Sequence, residues 1–127
     1  MPENHLFEYA VIRVVPKVER EEFFNVGVIL YCAGQKFLKT RIEVKEERLR
    51  AFCGELEMSV LRDNLAAFEK IASGARESGA IGKLSLPERF RWLTATRSTI
   101  VQSSKVHPGL CTDAGEMLDH LFVKLVL

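Results

Sequence analysis

Residues 6–15 read LFEYAVIRVV and residues 25–32 read NVGVILYC. The first run is β-branched, aromatic and apolar on both alternating faces, the pattern of a strand covered on two sides or nearly so. Pro16 ends it, because proline cannot donate to a ladder. The second run is a strong strand with Gly27 inside it, and a glycine there marks a bulge or a close backbone approach. Ala33-Gly34-Gln35 supplies a turn. In residues 36–43 (KFLKTRIE), Phe37, Lys39 and Arg41 then face one way, and Leu38, Thr40 and Ile42 the other. This is a half-exposed strand paired to its predecessor as a hairpin. Should it lie at a sheet edge, Lys36, Lys39 and Arg41 would discourage edge pairing. Lys17 to Glu22 is charged and reads as a turn or a short helix.

Downstream the period changes. Leu49, Phe52 and Cys53 follow helical spacing, with Gly54 just past the end. Met58, Leu61, Leu65, Phe68 and Ala72 recur in steps of three and four, giving the clearest amphipathic helix, and Gly74 stops it. Residues 73–83 hold three glycines and two serines and read as a surface loop. Pro87-Glu88 opens a short helix through Leu93, with a strand as the alternative. Thr99 to Ser104 reads as a strand and Pro108-Gly109 as a turn. Asp113-x-x-Glu116 is a capping box. Behind it, Met117, Leu118, Leu121, Phe122, Leu125 and Val126 line one stripe of a C-terminal helix. Strands followed by helices predict an α+β fold: a mainly antiparallel sheet of about four strands with helices on one face.

The chain has 127 residues, a length that fits a single domain spanning 1–127. Eighteen basic against 17 acidic residues give a net charge of +1, which argues against a generic nucleic-acid binder. The three cysteines, Cys32, Cys53 and Cys111, form no CxxC pair. They predict reduced thiols, two of them buried, with neither a disulfide framework nor a zinc ribbon. The start of the chain lacks a signal-peptide pattern and no apolar run reaches spanning length, so the expected location is the cytoplasm, with no membrane partner.

Chemistry concentrates in residues 89–112. This window holds Arg89, Arg91, Arg97 and Lys105 without a single Asp or Glu. It also holds Thr94, Thr96, Ser98, Thr99, Ser103, Ser104 and His107. Guanidinium forks and hydroxyls are the groups that hold phosphate or carboxylate. The candidate anion-binding set is therefore Arg97, Ser98, Thr99, Ser103 and His107, with Arg89 or Arg91 at the rim and Trp92 adding a stacking surface. The competing structural reading has the arginines paired with glutamates elsewhere and the hydroxyls satisfying turn backbone.

Catalysis is harder to place. Ser103 or Ser104 with His107, or Cys111 with His107, would be nucleophile–base pairs, but no orienting acid, nucleophile elbow or oxyanion loop accompanies them. His107, Cys111, Asp113 and His120 match no common zinc spacing. We assign no catalytic residue, metal or cofactor, and a hydrolase or nuclease ranks below a binding module.

Several segments resemble the bacterial domain-of-unknown-function family numbered 3037. They are Tyr9-Ala-Val-Ile-Arg13, Glu22-Phe-Phe-Asn-Val-Gly-Val28, Arg89-Phe-Arg-Trp-Leu-Thr-Ala-Thr-Arg-Ser-Thr99, Val101-Gln-Ser-Ser104, Val106-His-Pro-Gly-Leu110 and Leu118-Asp-His-Leu-Phe122. The likeness covers nearly the whole chain apart from its helical middle. It implies no established activity and carries over no site. It does imply a neighbour: genes for similar proteins often lie beside genes for HipA-like kinases. The functional expectation is an accessory or protein-interaction domain partnering such a kinase, with an anion- or phosphate-binding module (nucleotide, phosphopeptide or nucleic-acid end) as the alternative.

Overall fold

A computed structural model describes residues 4–16, 22–54, 57–75, 79–95 and 99–127. Strand β1 (His5–Val14) is followed by β2 (Phe24–Cys32) and β3 (Phe37–Ile42). Helices α1 (Glu46–Phe52), α2 (Met58–Ser73), the single-turn α3 (Gly79–Gly82) and α4 (Leu86–Thr94) come next. Strands β4 (Val101–Ser103) and β5 (His107–Cys111) and helix α5 (Ala114–Leu125) complete the order.

The sheet is antiparallel throughout and runs β3-β2-β1, after which β1 pairs with two short strands in succession. Its C-terminal half pairs with β4, from Ile12↔Ser103 to Val14↔Val101, and its N-terminal half with β5, from His5↔Cys111 to Tyr9↔His107. Ser104 lies at the break between β4 and β5. Its hydroxyl accepts from the Val11 N–H at 2.8 Å, and its own N–H donates to the Val11 carbonyl at 2.8 Å, so the ladder is kept across the kink.

Both sheet faces are apolar because both are covered. Ala10, Ile12, Val14, Val26, Ile29 and Leu38 pack with Leu49 of α1, Leu61 and Phe68 of α2, and Phe90 and Leu93 of α4. Phe7, Val28, Leu30, Cys32 and Cys111 pack with Ala114, Leu118 and Leu121 of α5. The period-2 alternation of β1 and β2 feeds these two clusters in turn. The α+β class and the antiparallel sheet agree with expectation. Two details differ among the described residues: there are five strands, and the helices divide between the faces, with α5 on the second. That division is the physical reason β1 has no polar face.

Gly27 marks both things that a strand glycine can mark. Between Ile12↔Gly27 and Arg13↔Asn25 the register shifts, so β2 advances two residues while β1 advances one. Val26 is the extra residue of this bulge, and it joins the α1–α2 core. At Gly27 itself a Cβ would lie 2.7 Å from the Arg41 carbonyl oxygen, so only glycine lets β3 approach.

Three other readings need correction. Pro108 and Gly109 form no turn; they lie within β5. Proline is tolerated there because β5 is an edge strand, and the Phe7 ring occupies the space a Gly109 side chain would need, 2.5 Å from its Cβ position. Residues 79–82 of the expected loop form a helical turn. The predicted strand Thr99–Ser104 shortens to Val101–Ser103. Residues 87–93 are helical, with Ser85 as N-cap: its Oγ donates to the Glu88 carboxylate at 2.7 Å and accepts from the Glu88 N–H at 3.4 Å. Gly74 ends α2 in the left-handed conformation at φ 71°. The turn or helix expected at Lys17–Glu22 lies, apart from Glu22, outside the described residues.

Candidate functional site

The acid-free window does not converge on one hollow among the described residues. Arg89 is a structural arginine. Its Nη1 donates to the Leu84 carbonyl at 2.9 Å and its Nη2 reaches the Ala72 carbonyl at 3.4 Å. Its charge therefore sits over the C-terminal end of α2, where the helix dipole favours a cation. Arg91, one position on from Phe90, points to solvent. Arg97 and Ser98 lie outside the described residues.

The hydroxyls are engaged locally. Thr99 Oγ1 donates to the Val101 carbonyl at 2.6 Å, and Ser103 Oγ to the Ser104 carbonyl at 2.7 Å. Both residues line a cleft of about 170 Å³ between α2, α4 and β4, walled by Phe68, Ile71, Trp92 and Leu93. That cleft is more apolar than an anion site requires. His107 is elsewhere: it opposes Tyr9 across the sheet, with ring centroids 5.3 Å apart. Ser103 opposes Ile12. Tyr9 belongs to the α5 face and Ile12 to the other, so Ser103 and His107 project from opposite sides of the sheet. Ser104 is buried and already bonded at both ends of its hydroxyl. Burial, with Cys32 beside it, pushes the Cys111 thiol up, away from nucleophilic thiolate. Among the described residues no group of three His, Cys, Asp or Glu side chains is placed to hold a metal ion.

A different feature stands out on the far side of the sheet. Among the described residues β3 has a strand neighbour on one side only. The Glu43 N–H donates inward to the Val26 carbonyl at 2.8 Å. By antiparallel alternation, the backbone groups of Leu38, Thr40 and Ile42 face outward. Helix α2 runs alongside this edge and leaves a trench. One part, about 460 Å³, is lined by Leu38, Lys39 and Thr40 on the strand and by Ala66, Lys70 and Ser73 on the helix. A second part, about 270 Å³, continues past Ile42 and Val44 to Arg62 and shares Ala66 and Glu69 with the first. Ala66 is what makes room: a larger residue there would fill the junction.

The trench rim carries Lys39 and Lys70, with Glu69 between its two parts. Among the described residues Lys39 and Lys70 are exposed and carry no ion pair, whereas Arg41 is held by Asp119 at 2.6 Å and Arg62 by Glu46. Both arginine–carboxylate pairs are solvent-facing. They tie β3 to α5 and α2 to α1. The alternation of residues 36–43 was the sequence signal for a half-exposed strand. No sequence signal told that α2 would lie beside its free edge, because that pairing is long-range.

This arrangement defines a class: a small α+β fold whose antiparallel sheet is covered on both faces and, among the described residues, leaves the β3 edge unpaired beside helix α2. Residues 9–126 match the family described as protein of unknown function (DUF3037), and the chain belongs to that family. No curated protein and no solved structure matches it.

Proposed function

We propose that this protein is a non-catalytic interaction module that takes an extended, acidic segment of a partner protein as an added strand on β3. The observation that carries this reading is the outward-facing backbone of Leu38, Thr40 and Ile42 beside the α2 trench. An unpaired edge is a template for another chain, and in strand addition main-chain bonds supply affinity while alternate side chains enter pockets. Lys39 and Lys70 favour carboxylates on the incoming strand.

The same charges select against a second copy of this chain. Antiparallel pairing of two β3 strands about Thr40 would set Lys39 of each copy opposite Arg41 of the other, and like charges directly opposed are destabilising. A HipA-like kinase is the partner that the family resemblance nominates, and it is the first to test.

The test uses a synthetic peptide, Val-Glu-Val-Glu-Val-Glu-Val, titrated into the labelled protein. Amide resonances of 37–42 and 62–73 are expected to shift. Thr40→Pro removes one outward N–H while sparing the β2 ladder, and should abolish the shifts with the remaining spectrum intact. Shifts scattered elsewhere, or equal shifts in Thr40→Pro, reject strand addition. In parallel, a co-expressed HipA-like kinase should co-purify with the native chain and not with Thr40→Pro. Failure to co-purify with either removes that kinase as the partner.

A further inference from the structure

Helix α2 turns two stripes to two different hollows. Ala66, Glu69, Lys70 and Ser73 line the β3 trench, whereas Asn64, Ala67, Phe68 and Ile71, at helical spacing, line the cleft against α4 and β4. Trp92, Leu93 and Ala95 form the α4 wall of that cleft, and Thr99, Val101 and Ser103 the wall at β4. In β4, Val101 opposes Val14 and Ser103 opposes Ile12, so period-2 alternation sends both side chains to this face. Ala67 and Ala95, the smallest side chains of the walls, help to keep the space open.

Size and polar groups together restrict what the cleft can hold. At about 170 Å³ it is smaller than the several hundred Å³ that drug-sized ligands occupy. It is close in size to an apolar cavity of roughly 150 Å³ that takes benzene. A single ring therefore fills it. Phe68, Ile71, Leu93 and Val101 supply apolar contact, and every described lining residue is uncharged, which favours a neutral ligand. Two polar atoms remain to be matched. The Thr99 hydroxyl spends its one hydrogen on the Val101 carbonyl at 2.6 Å, and the Ser103 hydroxyl spends its own on the Ser104 carbonyl at 2.7 Å. A hydroxyl has one donor and two acceptor positions, so both are left as acceptors only. A bare hydrocarbon would strip water from these lone pairs without replacing it, whereas a ring bearing an O–H or N–H would meet them.

We infer that this cleft binds a neutral, single-ring aromatic molecule with one hydrogen-bond donor, a phenol in its simplest form. The ring lies among Phe68, Ile71 and Leu93, beside Trp92, and its hydroxyl donates to Ser103 Oγ or Thr99 Oγ1. Offset or edge-to-face contact with the Phe68 and Trp92 rings adds to the apolar burial. A carboxylate on the ring would set acceptor against acceptor and is disfavoured. The cleft is separate from the β3 trench, and this inference does not rest on strand addition there.

Trp92 is the only tryptophan of the chain and lines the cleft, so its fluorescence reports binding when excited at the red edge, where phenol is transparent. Phenol should give a saturable change and shift the amide resonances of Ala67, Ile71, Leu93 and Ser103 together. Anisole, the same ring with its O–H methylated, should bind about fivefold more weakly, the loss of one neutral hydrogen bond. Benzoate should not bind. Ala67→Leu fills the cleft from an exposed helix position that leucine suits, and should abolish the phenol response with α2 intact. Ser103→Ala combined with Thr99→Val should bring phenol down to the affinity of anisole and leave anisole unchanged, which separates the lost bond from the added methyl group. No saturable response to phenol, anisole as tight as phenol, binding of benzoate, an undiminished response in Ala67→Leu, or unchanged phenol affinity in the double variant would each overturn the inference. So would N-acetyltyrosinamide binding more tightly than phenol, which would make the cleft a pocket for a partner's tyrosine.

Discussion

Ser104 shows how one side chain decides whether a segment is chemistry or scaffold. Its hydroxyl lies among the threonines, serines and histidine of the acid-free window, yet it accepts from Val11 N–H and donates to the Lys105 carbonyl. It stands in for a backbone carbonyl where β4 stops and β5 has not begun. Ser104→Ala should leave the buried Val11 N–H without an acceptor and destabilise the protein by about 2 kcal/mol, the cost of an orphaned buried donor. Urea unfolding checks this; a loss under about 0.5 kcal/mol would mean the N–H finds another partner. Gly109 and Gly27 argue at the same scale. Each is required by what presses on it, the Phe7 ring in one case and the β3 backbone in the other.

At the scale of elements, α5 carries its own start signal and borrows a second. Asp113 Oδ1 accepts from the Glu116 N–H at 2.9 Å, the N-cap that the Asp-x-x-Glu spacing predicts. Gln35, in the β2–β3 turn, holds the same end from outside: its Oε1 accepts from Ala114 N–H and its Nε2 donates to the Thr112 carbonyl, both at 2.8 Å. Asp113→Ala should cost about 1 kcal/mol, and Asp113→Asn, which keeps a capping oxygen, much less. Thermal unfolding of the two variants separates capping from charge. Because α5 is the helix that covers the second sheet face among the described residues, the Asp113→Ala loss should appear as global destabilisation, not fraying confined to one helix.

For the molecule as a whole, burial sorts the three cysteines. Cys32 and Cys111 are buried in the α5-face core, while Cys53, at the end of α1, is only partly so. A thiol reagent should label Cys53 in the native protein and reach Cys32 and Cys111 only on unfolding, at a rate that falls as stability rises. Rapid native labelling of all three would contradict the packing of α5 on the sheet. The β3 edge also belongs to this scale, since strand and helix meet there from distant parts of the chain.

Local pattern determined much of this protein. The apolar alternation of β1, the hairpin of β2 and β3, the period of α2 with its stop at Gly74, and the Asp113 cap are all effects within a few residues, and they are legible as such. What pattern left open was settled by partners far along the chain. Pro108-Gly109 is strand, not turn, because β1 offers a ladder and Phe7 needs the space. Arg89 caps α2, while Ser103 and His107 project from opposite sides of the sheet; no spacing in the chain records either outcome. Asn25 faces Arg13 only because a bulge shifts the register. A periodicity reports which face a residue takes within its own element; which elements then meet is decided by how the whole chain buries its apolar surface at once.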